Sequence, residues 1–285
     1  MKYTFCNINY DIKSAQVIKS TIYDIFRYNH EGNERDICTI ETEYVSKFKI
    51  PEQEPIFKNI QGLSVISEGK TEYRFYRNFF TGEIRELLID DGKSKKLEIL
   101  SDGKEQSLTE LDLINCIAFE KTMSEKGRFI LHSSFIETEN GAILFTAPSG
   151  TGKSTQADLW EKYRGIEIIN GDRSGIWKEN DIWMAGGVPW CGTSGIMKNK
   201  MMPLRAIVIL RQGAENEIQQ MRFPMKVGRI LEQITVNPWN KEMLLTAQIF
   251  CMTLCKEVPI ILLSCRPDEG AVEVLERELE RLENE

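Results

Sequence analysis

The sequence has 285 residues, 41% of them hydrophobic and 28% charged, enough for one large domain or two smaller ones around a sizeable apolar core. Its 36 Lys and Arg against 43 Asp and Glu leave a formal net charge of −7, which opposes adhesion to nucleic acid or to an anionic membrane. No apolar run is long enough to cross a bilayer, so membrane insertion is not expected.

Two halves of the chain differ in pattern. Residues 1–124 read as a strand-rich domain. Ile37–Val45 alternates apolar with polar residues, and residues 73–77 are rich in aromatics, as half-exposed sheet requires. Asp90-Asp91-Gly92 separates two short apolar runs, residues 86–89 and 96–100, and Ser101-Asp102-Gly103 closes the second, as hairpin turns do. From Leu108 the period becomes helical. Leu111, Ile114, Ile117 and Ala118 fall on one face of a helix beginning near Ser107 or Thr109. Tyr73, Phe75, Tyr76, Phe79 and Phe80 are expected on a sheet able to hold an extended peptide, or else in the half's own core.

Residues 125–285 alternate apolar strands with amphipathic helices, which predicts an α/β core. Strands are expected at residues 129–132, 142–146, 166–169, 205–210 and 260–264, and helices from the loop after residue 146 to about Tyr163, then at residues 226–235, 241–256 and 269–282.

The loop Ala147-Pro148-Ser149-Gly150-Thr151-Gly152-Lys153-Ser154, followed by Thr155, fits the phosphate-loop pattern with alanine in the first glycine place. Gly150 and Gly152 permit backbone angles that turn successive N–H groups inward, and a helix starting near Lys153 adds its positive end to the same anion site. Lys153 can reach the β- and γ-phosphates, and the Ser154 hydroxyl can ligate a bridging metal. Residues Ser149 to Thr155 are therefore the candidate nucleotide cradle. The bland alternative is a glycine turn ahead of a helix.

Phosphoryl chemistry also needs a carboxylate, and Asn170-Gly171-Asp172-Arg173 supplies Asp172 after the next apolar strand, as a metal ligand or base; the alternative is an ordinary turn aspartate. His132, one of two histidines, ends the strand before the loop strand. Residues 186–193 are glycine-dense, as in loops that approach ligands or in tight turns. Lys198, Lys200, Arg205 and Arg211 are the basic residues best placed to meet anions, although such a set more often forms a solvated face. The seven cysteines are mostly isolated, unlike a disulfide framework, and Cys251 and Cys255, one helical turn apart, suit core packing better than a zinc set. Reduced thiols, and residues 1–5 without a secretory pattern, predict a cytoplasmic protein.

The order strand with His132, strand with phosphate loop, strand with Gly171-Asp172 resembles the C-terminal catalytic domain of HPr kinase/phosphorylase and the nucleotide core of phosphoenolpyruvate carboxykinases, over about residues 125–275. That resemblance implies a P-loop kinase core of this type and places His132 beside the metal and the transferred phosphate. The family usually shows two adjacent aspartates where this chain has Gly171-Asp172. The segment Leu263-Ser264-Cys265-Arg266-Pro267-Asp268-Glu269-Gly270-Ala271-Val272, with Pro189-Trp190-Cys191-Gly192, looks like small stand-alone relatives found beside genes for ribosomally made peptides, including lasso peptides. Some of those phosphorylate a serine of the precursor. The resemblance thus implies a phosphotransferase dependent on ATP and Mg2+, acting on a serine of a peptide or small protein. Residues 1–124 would be an accessory or substrate-recruiting domain, and a homo-oligomer stays open. A nucleotide-binding regulator without turnover and a small-molecule hydroxyl kinase are the alternatives. The presence of Lys153, Ser154, Asp172 and His132 together favours the enzyme, since a pure binder does not need all four.

Overall fold

The computed structural model of the protein describes residues 1–14, 17–28, 36–77, 81–101 and 108–284, in two compact units, Met1–Thr122 and Met123–Glu285. It is a mixed α/β protein with two multistranded sheets. Phe79, Phe80, Asp102, Gly103 and Ser107 lie outside the described residues.

The first unit holds β1 (Lys2–Phe5), β2 (Ile8–Lys13), β3 (Val17–Ile18), β4 (Ile37–Val45), β5 (Phe57–Lys58), β6 (Leu63–Glu68), β7 (Thr71–Arg77), β8 (Ile84–Asp90), β9 (Lys95–Leu100) and β10 (Leu108–Thr109), then α1 (Glu110–Cys116). The helix α2 (Phe119–Glu125) carries the chain onward. Eight strands pair in the order β1-β2-β4-β9-β8-β7-β6-β5. The Asp90-Asp91-Gly92 turn does join a hairpin, with Glu86 opposite Ile99 and Asp90 opposite Lys95. Its geometry comes from the Asp91 carboxylate, which accepts the Lys93 and Ser94 N–H groups at 2.8 and 2.7 Å.

Of the expected aromatics, Tyr73 and Phe75 take the second of their two expected places. Phe75 is buried with Ile66 and Leu87, and Tyr73 packs on that cluster, so these rings fill the unit's own core. Alternation along β7 puts Tyr73 and Phe75 on the same face, the one that packs on Ile66 and Leu87.

The expected helix face is buried at Ile114, Ile117 and Ala118 but not at Leu111. Thr109 caps α1 in a reciprocal box with Asp112, but Leu111 is 46% exposed while Leu113 and Ile114 are buried. A buried Glu110 sets this rotation, since its carboxylate accepts hydrogen bonds from the Tyr3 hydroxyl, the Ser20 N–H and the Arg27 guanidinium. Removing a charge so well bonded would cost more than exposing one leucine.

The second unit runs β11 (Phe129–Thr138), β12 (Gly141–Thr146), α3 (Lys153–Arg164), β13 (Ile168–Asn170), β14 (Arg173–Glu179), β15 (Ile182–Gly187), β16 (Met201–Gln212), β17 (Glu217–Gln219), α4 (Phe223–Leu231), α5 (Lys241–Glu257), β18 (Ile260–Cys265) and α6 (Glu269–Glu283). All of β12 is buried. It lies between β11, antiparallel, and β16, parallel, and β16 pairs parallel with β18. Alternate side chains serve opposite faces: Leu144, Ile207 and Ile260 pack with Met243, Ala247 and Cys251 of α5, whereas Ile143, Phe145 and Val208 pack with Ala157 and Trp160 of α3 and Leu275 of α6. Strands covered on both faces therefore read as continuous apolar runs.

Three details depart from the sequence reading. The hairpin β14–β15 turns at Asn180 and Asp181, both left-handed with φ of 49° and 64°, and lacks the glycine that usually advertises such a turn. The expected strand at residues 166–169 begins later, at Ile168, and pairs with β11. α4 ends at Leu231 instead of Thr235, because the following residues run along β11: the Thr235 N–H bonds the Ile130 carbonyl at 2.8 Å, and the His132 N–H bonds the Gln233 carbonyl at 2.9 Å.

Burial and the nearby Asp112 push the Glu86 carboxyl up to about 7. Folding thus favours its protonated form, an advantage complete below the unfolded value of about 4.3 and lost as pH rises through the folded one. Glu86→Gln is expected to stabilise the protein at pH 8 by about 2 kcal/mol and to have little effect at pH 4. Thermal unfolding of both proteins across this range checks it, and equal stability at pH 8 would contradict it.

Candidate active site

The candidate residues gather where β12 ends. The buried strand leads through Ala147 to an exposed loop, in which Gly150 has φ 79° and Gly152 has φ 117°. A Cβ at Gly150 would meet nothing within 4 Å, and one at Gly152 only the Thr155 Cβ at 4.0 Å. Left-handed backbone, not crowding, is what requires glycine at both places. Gly152 is the N-cap of α3 and offers no side chain to its first turn, whose N–H groups have no partner within the helix.

Lys153 opens α3 and is buried. Its Nζ donates to the Ala147 carbonyl at 3.0 Å and the Pro148 carbonyl at 3.4 Å, so the amine lies beneath the loop. Burial holds it below its ordinary range, with Asp172 acting in the opposite direction. Ser154 and Thr155 are exposed on the next positions, and Ser149 and Gly150 at the crest.

Asp172 follows β13. Its Oδ1 lies 3.6 Å from His132 Nε2 and its Oδ2 accepts from Arg173 Nε at 3.2 Å. The His132 and Asp172 side chains are 30% and 28% exposed, open enough to meet a ligand. The contact with His132 first, and then Arg173, hold the Asp172 carboxyl below the usual carboxylate range against its burial. Strand pairing makes the cluster: His132 stands opposite Arg173, Ser133 opposite Thr146, and the Thr146 hydroxyl donates to the His132 carbonyl at 2.8 Å. Thr146, His132 and Asp172 therefore share one end of the sheet with the loop.

Asn170 did not stand out in the sequence as a site residue. Fully buried, it donates from Nδ2 to the Val188 and Trp190 carbonyls, both at 2.9 Å, and accepts at Oδ1 the Asp172 and Arg173 N–H groups at 2.9 and 3.0 Å. It thereby ties the glycine-dense segment to the Asp172 turn. A Cβ at Gly192 would lie 2.9 Å from the Asp172 Cγ, and one at Gly171 2.0 Å from the Ser194 hydroxyl, so these glycines record close approach. The available signal was an asparagine just before Gly-Asp, the composition of a side-chain-bonded turn.

Other candidates separate from the site. Lys198 pairs with Glu167, Lys200 with Glu137 and Glu167, and Arg205 with Glu283. Arg211 instead lines a cavity of about 480 Å³ that borders Thr146 to Thr151 and also takes in Gln233, Met221 and Met225. Cys251 and Cys255 are buried in α5, where burial pushes their thiols up to about 12 and about 11. Among the described residues, no group of three His, Cys, Asp or Glu side chains could hold a metal alone. No helix among them is long and apolar enough to cross a membrane.

No protein-family model and no curated protein matches the chain. Among solved structures, the HPr(Ser) kinase/phosphatase from Coxiella burnetii is similar over 54% of this chain and 97% of that one, at a TM-score of 0.31 and 16% identity. A superposition that loose says nothing about chemistry.

Asn170→Ala is expected to lower stability by about 3 kcal/mol, because it strips partners from two carbonyls and two N–H groups in a closed place. Asn170→Asp keeps the two accepted bonds and should fall between. Thermal unfolding ranks the three proteins; wild-type behaviour of Asn170→Ala would show that the amide holds nothing.

Proposed function

We propose that the second unit binds ATP with Mg2+ on residues 147–155 and transfers the γ-phosphoryl group to a serine hydroxyl of a peptide or small protein. The observation that carries this reading is the left-handed Gly150–Gly152 turn feeding α3, with the Lys153 amine beneath it and the Asp172–His132 pair at the adjoining strand end. A turn of that form directs main-chain N–H groups at an anion, and the helix start reinforces them.

The residues fit the ion and the nucleotide. Ser154 offers an exposed hydroxyl on the first turn of α3, and Asp172 an ionised carboxylate. Magnesium keeps water and phosphate ligands and needs only one or two from the protein, which Ser154 and Asp172 can provide. When bound, it neutralises charge on the β- and γ-phosphates. Lys153 exchanges the Ala147 and Pro148 carbonyls for phosphate oxygens. The acceptor oxygen forms a bond to the γ-phosphorus as the bond to the β,γ-bridging oxygen breaks; ADP leaves with that oxygen, and the hydroxyl proton passes to the Asp172–His132 pair.

A peptide acceptor is supported by the likeness of residues 263–272 and of Pro189-Trp190-Cys191-Gly192 to stand-alone kinases of ribosomal-peptide clusters. The first unit would then recruit it; with Phe75 packed inward, that task falls to the edge strand β5, since β1 already meets Arg27 and Tyr28 on its outer side. A regulator without turnover would bind ATP and label nothing, and a small-molecule kinase would label free serine. Incubation with labelled ATP and each acceptor separates these readings.

Lys153→Ala should weaken ATP binding by about ten- to a hundred-fold in calorimetry, the loss of charge-assisted hydrogen bonds. Unchanged affinity and turnover would remove the central reading. Asp172→Asn should keep the fold and most nucleotide binding yet lower transfer by about a hundred-fold or more. Turnover at the wild-type rate would move the chemistry to another carboxylate. Glu137, held by Lys200 and opposite Ala142 at the far end of β12, and Asp181, 98% exposed at a hairpin tip, are poorly placed for it.

A further inference from the structure

We infer that the cavity beside the loop receives the phosphoryl acceptor, and that Arg211 binds a carboxylate side chain carried next to the acceptor serine. The inference rests on the nucleotide reading above and names the substrate class of that site. Thr146 and Gln233 both line the cavity. They are also the residues whose hydroxyl and carbonyl bond the His132 main chain, so the cavity opens at the end of the sheet where His132 faces Asp172. It borders the loop from Ala147 to Thr151; Ser154 and Thr155 lie outside its lining, and so do His132 and Asp172, which it approaches through Thr146 and Gln233. Transfer needs the acceptor on that side, in reach of the pair that takes its proton.

Charge singles out Arg211. Lys198, Lys200 and Arg205 are each neutralised by a glutamate, and Arg229, also in the cavity wall, has Glu232 at 3.5 Å. Among the described residues no carboxylate is paired with Arg211, whose Nη1 donates only to the neutral amide oxygen of Gln219, at 3.3 Å. An exposed guanidinium in a cavity whose lining also holds the Arg229–Glu232 pair and the apolar Met221, Met225 and Leu262 is suited to a planar anion, which a carboxylate satisfies with two parallel hydrogen bonds. Two flexible thioethers beside it accept an apolar neighbour of varied shape. The acceptor that fits is thus a serine peptide with an acidic and an apolar residue close to the hydroxyl.

The test uses the full chain, labelled ATP and an array of synthetic serine peptides whose neighbours to serine are varied, with fluorescence anisotropy of the same peptides as a readout free of turnover. Peptides bearing Asp or Glu beside Leu or Met should be preferred in both. Arg211→Gln should raise KM and Kd for those peptides by about ten-fold or more while leaving the Kd for ATP in place. Arg211→Glu should turn the preference to lysine-bearing peptides. Because Arg211 is exposed at the end of β16, neither change threatens the core. No acidic preference in either readout overturns the inference, and so does an Arg211→Gln protein whose ATP affinity falls instead, since the arginine would then serve the nucleotide phosphates. A wild-type protein unable to bind ATP would overturn the nucleotide reading, and this inference with it.

Discussion

The second unit is organised by the complete burial of β12. A strand with no exposed side chain must be covered on both faces, and its alternation sends Leu144 toward α5 and Phe145 toward α3. Covering one face with the helix that follows directly makes the connecting loop short. The loop therefore sits at the carboxyl end of the strand, with the helix start turned toward it. Open α/β sheets place ligands at that end for the same reason. The neighbouring strand ends then supply side chains at fixed heights: Thr146 and His132 through one ladder, Arg173 and so Asp172 through the next.

Much of this was legible because it rests on local chemistry. The extent of Ile37–Val45, the Asp-Asp-Gly hairpin, the helices starting at Lys241 and Glu269, and the loop between Thr146 and Lys153 follow from alternation, turn residues and helical period. What escaped depends on distant partners. Leu111 points outward because Glu110 answers Tyr3 and Arg27, far away in sequence. Residues beyond Leu231 leave the helix because β11 offers them a ladder. The β14–β15 hairpin was hidden by its Asn-Asp turn, a pair that tolerates left-handed backbone without announcing it.

The site shows the same division. Lys153, Ser154 and the glycines could be placed by pattern, since their spacing is their function. The value of Asn170 lies in what it bonds, two carbonyls of a segment some twenty residues on, and no spacing rule describes that. The basic residues were separable only in three dimensions, where three meet glutamates and Arg211 does not.

The pairings of the second unit also close on themselves, from β12 through β11, β14 and β15 to β16 and back to β12. Each of these five strands has a neighbour on both sides over part of its length, which leaves only short stretches such as Trp177–Glu179 of β14 and Ile182–Trp183 of β15 with one named partner. A closed path of pairings disfavours strand addition to this part of the molecule, and with it fibrillar growth. If copies of the chain associate by main-chain pairing through this unit, the three-residue strands β13 and β17, each paired among the described residues with one named strand, are where it would occur.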